Sequence, residues 1–215
     1  MRVIEPTFEF IEEVDGVKLL KKIELAKRIC YQSEDRITQD SYLASAADLI
    51  ARGHEAMLEH ASVSVMFTID RGVANEITRH RLASFAQSST RYCNYSQDKF
   101  GNEITVIRPC FFQNGTVAYD EWYEACAVAE QKYFSLLAMG MKPEEARDVL
   151  PISTMTKLVM TANLREWRHF FKLGAVGTTG KPHPQMLQVT VPLLNEFKKK
   201  IPVVFNDLVV EETKK

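Results

Sequence analysis

Hydrophobic positions along the chain change period several times. From Gly16 to Cys30, Leu19, Leu20, Ile23, Ala26 and Ile29 recur near helical spacing, which predicts an amphipathic helix. A second helix is predicted around Leu43, Ala46, Leu49 and Ile50, stopped by Gly53. The period then falls to two. Ala61, Val63, Val65, Phe67 and Ile69 alternate with Ser62, Ser64, Met66, Thr68 and Asp70, the pattern of a strand with one apolar face. After Gly72 it lengthens again through VANEITRHRL, a helix expected to carry Arg79, His80 and Arg81 at its C-terminal end.

The stretch ASFAQSSTRYCNYSQDKFGN shows no clear period and reads as a loop of roughly 20 residues, a length that points to function in a compact domain. ITVIRP (104–109) predicts a short strand ended by Pro109, and 119–139 the longest helix, with Trp122, Cys126, Ala129, Tyr133, Leu136 and Leu137 inward and Gly140 as its stop. Pro143 suits the first position of a short helix, with Glu144 and Glu145 at its positive end and Arg147 further along. TKLVMTAN reads as a strand, LREWRHFFKL as a helix ended by Gly174, and AVGTTGKPHP as a loop. A last helix is predicted over 184–199, with Lys198–Lys200 in its final turn. The expected class is α/β or α+β, a single mostly helical domain over residues 1–215; the pattern leaves the strand order open.

Composition narrows the function classes. The 215 residues are 46% hydrophobic and 26% charged, an ordinary globular mixture. Twenty-seven Lys and Arg against 28 Asp and Glu leave a net charge of −1, which argues against a general nucleic-acid binder. No run approaches the ~20 apolar residues of a membrane span, and MRVIEPTFEF lacks a signal-peptide core. Cys30, Cys93, Cys110 and Cys126 contain no CxxC pair and are too sparse for a secreted disulfide framework, so four reduced cysteines in a cytoplasmic protein are expected.

The densest chemistry lies in EITRHRLASFAQSSTRY, residues 76–92. Guanidinium groups grip phosphate in a bidentate way, and hydroxyls and loop N–H groups add neutral donors, so the segment suits an anion receptor. A solvated basic helix end is the bland alternative. The contiguity of Arg79, His80 and Arg81, the donors that follow, and the loop's length favour the receptor. GHEAMLEH imitates a zinc-protease HExxH, but His54 and His60 stand six apart and differ by roughly 240° around a helix, so no metal site is expected there. A third group, Asn163, Arg165, Arg168 and His169, follows a strand directly and suits an anion or a ring carbonyl, or else a solvated helix face over a Trp167, Phe170 and Phe171 core. GxGxxG, GxxxxGK[ST] and GxSxG are absent.

Arg79-His80-Arg81, the spacer LASFAQS, then Ser89 and Arg91-Tyr92 resemble the signature of the flavin-dependent thymidylate synthases (the ThyX family). GHEAMLEH, EEARDVLP, TANLREW and HPQM stand in that family's order at about its spacing, so the resemblance covers roughly residues 50 to 200. It implies a central, mostly antiparallel sheet flanked by helices, and a homotetramer with sites built from several subunits. The implied reaction converts dUMP to dTMP with methylenetetrahydrofolate as carbon donor. FAD passes on electrons from NAD(P)H, tetrahydrofolate leaves, and no metal takes part. By motif position, Glu76, Arg79, Gln87, Ser88, Ser89, Thr90, Arg91 and Arg147 would hold dUMP. His54, Glu59, Arg79, His80, Arg81, Asn163, Arg165 and His169 would line the FAD site.

Three departures stand out. Gly174 occupies the position where the family places an arginine thought to polarise the uracil ring, with Lys172 or Lys181 as candidate substitutes. The loop before HPQM is a few residues longer than usual, and Ser88 stands where relatives with a QEST-type loop carry Glu. Two other readings are compatible with the sequence: a relative that binds FAD and dUMP but turns over slowly, and a nucleic-acid-binding module using the RHR to STRY loop and Lys198–Lys200.

Overall fold

The computed structural model describes residues 1–210. The four-stranded sheet has the order β2-β3-β6-β4, built from β2 (Thr7–Phe10), β3 (Ser62–Asp70), β4 (Ala83–Gln87) and β6 (Met155–Asn163), and is mainly antiparallel with helices flanking it. β1 (Arg2–Ile4) pairs separately and in parallel with β5 (Thr105–Ile107), Val3 opposite Val106. The helices are α1 (Gly16–Ile29), α2 (Ser41–Ala51), α3 (Arg71–Ile77), α4 (Val117–Ala138), α5 (Pro143–Ala146), α6 (Leu164–Phe171), α7 (Pro184–Lys200) and α8 (Pro202–Phe205). Among the described residues no helix is long and apolar enough to cross a membrane.

The chain gathers into two compact units. The first comprises Met1–Phe8, Met66–Arg79 and Phe85–Val159; the second comprises Glu9–Val65, His80–Ser84 and the residues from Met160 onward. In the first, Tyr95, Ile104, Val106, Cys126, Tyr133 and Ala146 form a buried cluster, and the Tyr95 N–H donates to the Tyr133 hydroxyl at 3.3 Å. Burial pushes the Cys126 thiol up to about 11, so it packs as a neutral apolar group. In the second, Trp167, Phe171, Phe197 and Phe205 pack with ring centroids 5.0–5.8 Å apart. The Trp167 indole N–H is satisfied by the Val63 carbonyl at 3.0 Å.

Several boundaries differ from expectation. Helix α3 ends at Ile77, so Arg79, His80 and Arg81 sit in the turn beyond it: the Thr78 N–H still reaches the Ala74 carbonyl, but that of Arg79 takes Glu76. The expected 20-residue loop contains strand β4. Its small polar residues hide any alternation, yet the Ser88 N–H donates to Lys157 of the β6 strand at 2.9 Å. Long α4 buries only Cys126 and Tyr133 among its residues, leaving Trp122, Ala129, Leu136 and Leu137 half-buried. Gly174 does not stop α6. The helix widens into a π turn over Lys172–Val176, and the left-handed stop is Gly177, at φ +81°. Strands β1 and β2 were too short for a periodic signal.

Candidate active site

The second unit builds its polar surface from two chain reversals. Gly53 takes φ +68° after α2, and the chain then enters a 3₁₀ turn over Glu55–His60 that presents exposed His54 and Glu59. Strand β6 hands over to α6 at Asn163, whose Oδ1 accepts the Glu166 N–H at 2.9 Å and fixes the helix start. Arg165, one turn in, donates to Glu59 Oε1 at 2.5 Å, so two expected flavin residues face each other. That carboxylate raises the Arg165 guanidinium further above its ordinary value.

Arg168 anchors the same turn from beneath. It is 3% exposed, and donates to both Asp207 oxygens at 2.7 and 2.6 Å, to Glu55 at 2.9 Å and to the Val204 carbonyl. The Arg168 guanidinium holds the Asp207 carboxyl below the usual carboxylate range. His80 is half-buried, its Nδ1 3.3 Å from Glu166 Oε1, with the Phe170 ring edge-on at 5.0 Å and His169 at 5.8 Å. Burial pushes the His80 pKa down, against the Glu166 carboxylate, so a neutral imidazole is favoured.

Beside the 55–60 turn lies a cavity of about 720 Å³, lined among others by Lys27, Arg28, Ser33, Arg52, His54 and Arg165. Its size falls in the usual range for small-molecule sites. Asp48 and Glu55 line it too, and Asp48 pairs with Lys27 and Arg52; the donors these cations keep, with the Ser33 hydroxyl, suit the pyrophosphate of a dinucleotide, so the residues present fit a flavin dinucleotide.

The first unit brings together much of the expected nucleotide set. Gln87 Nε2 donates to Thr156 at 3.3 Å, and the Ser88 carbonyl accepts from Thr156 and from Arg71, each at 3.5 Å. Ser89 Oγ accepts the Arg91 N–H at 3.2 Å, while the Tyr92 and Cys93 N–H groups turn back onto the Ser89 carbonyl. Thr90 is buried. Arg91 is exposed and its Nε meets Glu144 at 2.7 Å, which draws the loop to the short helix α5, whose C-cap is Arg147. Glu76, Arg79 and Arg147 are exposed, as is Arg81 in the second unit.

Position 174 is tight for a side chain. Gly174 is buried, and a Cβ there would lie 3.1 Å from Met186 Cε and 3.3 Å from Thr190 Cγ2. The Thr190 hydroxyl donates to the Gly174 carbonyl at 2.6 Å. Of the candidate substitutes, Lys172 lies 3.5 Å from Glu55 and Lys181 is exposed on the following loop. Glu55, Glu166 and Asp207 were absent from the expected site. An E-x-x-H spacing on α6 carried a signal for Glu166; Asp207 carried none, because it reaches Arg168 from 39 residues away.

The model of the family described as "Thymidylate synthase complementing protein" matches residues 17–203. The flavin-dependent thymidylate synthase of Pyrococcus abyssi is 34% identical over 145 residues, 66% of this chain, which spans 58% of that relative's length. The flavin-dependent thymidylate synthase of Geobacter sulfurreducens is 30% identical over 86% of this chain and 80% of its own. That of Corynebacterium efficiens is 31% identical over 88% and 79%. In fold, the chain resembles a UMP/dUMP methylase from Streptomyces cacaoi solved with 5-Br dUMP, at a TM-score of 0.78 and 22% identity over 96% of both chains. With the family model spanning most of its length, the chain belongs to the thymidylate synthase complementing protein family, whose curated relatives are flavin-dependent thymidylate synthases.

Proposed function

We propose that the chain reductively methylates dUMP to dTMP, taking the carbon from methylenetetrahydrofolate and electrons from NAD(P)H, and that it works as a cytoplasmic homotetramer with tetrahydrofolate as the other product. The observation that carries this reading is the cation-lined cavity of the second unit, which adjoins the turn bearing His54 and Glu59. These residues would hold FAD, which when bound would supply the hydride that the transferred carbon requires.

The chain's own residues bind and orient. Arg165 and His54 border the flavin's polar part, with Glu59 held to Arg165, and His80, Arg81, His169 and Arg79 are assigned to the flavin by motif position. The Asn163 carbonyl oxygen is committed to its helix cap, which leaves its amide N–H₂ for a ring carbonyl. On the nucleotide side, Arg91 spends its Nε on Glu144, and its terminal nitrogens are the ones to grip the dUMP phosphate beside Ser89. Gln87, Ser88 and Thr90 shape that loop, and Glu76 and Arg147 complete the set. Gly174 contributes no charge to the uracil ring, and the role falls to a cation elsewhere in the chain.

The test is direct. Purified protein is expected to be yellow, and to release tritium from 5-labelled dUMP only when methylenetetrahydrofolate and NADPH are both present. FAD at a hundredfold excess over its dissociation constant is expected to stabilise the fold by roughly 2.7 kcal/mol. Colourless protein with an unchanged melting temperature in FAD would overturn the reading.

A further inference from the structure

We propose that His80, Glu166 and His169 form a binding site for a divalent transition cation of the zinc class. Each offers one donor atom, and the three atoms lie within 4.8 Å of one another. Two corners are already set. His80 Nδ1 and Glu166 Oε1 are 3.3 Å apart, close to the separation of two ligands on a tetrahedral zinc with bonds of about 2.0–2.2 Å. Glu166 and His169 are three residues apart on α6 and so project from one helix face. His169 is exposed and forms a third corner open to solvent for entry, whereas Glu166 is 5% exposed.

The donor set selects the ion. Two imidazoles and one carboxylate suit zinc, cobalt or nickel, whereas magnesium and calcium call for oxygen cages. Three protein ligands leave a fourth position to water. The surroundings hold the ligands in place, as such sites require. Asn163 fixes the turn that aims Glu166, and the Phe170 ring edge packs against His80 at 5.0 Å. All three ligands lie in the second unit.

His80 and His169 are also among the residues assigned above to the flavin. On that reading, and resting on it, the cation and the flavin compete for the same side chains, and zinc acts as an inhibitor.

Calorimetric titration of zinc chloride into the full chain tests this, with bound flavin followed by its visible absorbance. The expected result is one zinc per chain, affinity at least tenfold weaker in His169→Ala, no response to magnesium, and release of flavin as zinc binds. His169 is exposed, so that variant keeps its fold; Glu166→Gln provides a second, independent reading. Equal zinc affinity in parent and both variants would overturn the site, and simultaneous binding of zinc and flavin would overturn the competition. Zinc binding that depends on His169 in a chain that never takes up flavin supports the site while removing the flavin reading, so the two failures are distinguishable.

Discussion

In the second unit Arg168 is 3% exposed and meets two carboxylates and a backbone carbonyl, while in the first unit Arg91 is 58% exposed, its guanidinium meeting the Glu144 carboxylate and lying over the Tyr92 ring at 5.4 Å. The two arginines therefore do different work. A buried guanidinium with four of its five N–H donors engaged holds its neighbours in place and has little left for a ligand. An exposed one costs little to redirect, so it can exchange part of its carboxylate contact for an incoming phosphate.

The sharpest break of this contrast is Arg168→Ala. Removing one partner of a buried ion pair costs about 3–5 kcal/mol. The lower end is expected, because Asp207 is 44% exposed and can rehydrate. Urea unfolding measures the loss, and a change below about 1 kcal/mol would mean that the network holds nothing. The same network sets an acid limb. Asp207 is held below the usual carboxylate range chiefly by its hydrogen bond from Arg168. Its stabilisation is thus present above about pH 4 and is lost as pH falls through the lowered value. An Asp207→Asn variant is expected to be less stable near neutrality and to show a flatter acid limb; identical limbs in parent and variant would contradict the assignment.

Gly174→Arg comes next in size. The β carbon alone would press on Met186 and Thr190, and overpacking of this kind costs typically about 1–3 kcal/mol. An arginine at this position is therefore expected to lower the melting temperature without raising tritium release. A faster enzyme of unchanged stability would show that the α6 to α7 packing yields more readily than the contacts indicate.

The long periodic elements were legible before the structure. α1, α2, β3, α4, β6 and α7 fall within a few residues of their expected bounds, because each repeats one period over nine or more residues. β4 was not legible: its partners lie about 70 residues away in the chain, and Ala83, Ser84 and Ala86 carry no alternation of their own. The same logic divides the candidate site. Contiguous cations at Arg79–Arg81 and donors at Ser88–Arg91 announce themselves locally. Glu144 opposite Arg91, Glu59 opposite Arg165 and Asp207 opposite Arg168 are 39 to 106 residues from their partners and emerge only from the fold.

The smallest stability effect belongs to the exposed pair, and there the contrast between the units is most informative. Glu144→Gln removes the carboxylate facing Arg91 at 2.7 Å, on a surface where such pairs contribute about 0–1 kcal/mol. The melting temperature is expected to stay within a few degrees of the parent. The affinity for dUMP is expected to rise a few-fold, because the phosphate no longer competes with a like charge for the guanidinium. Arg91→Gln is expected to leave stability equally unchanged and to weaken dUMP at least tenfold, since charge-assisted bonds to phosphate carry about 1.5–3 kcal/mol. Raised salt narrows both differences, as screening acts on exposed charges and spares the buried Arg168 network. If Glu144→Gln weakened dUMP as much as Arg91→Gln does, the carboxylate would be positioning Arg91 rather than competing with the phosphate. The exposed arginine of the first unit would then be working in the manner of the buried one.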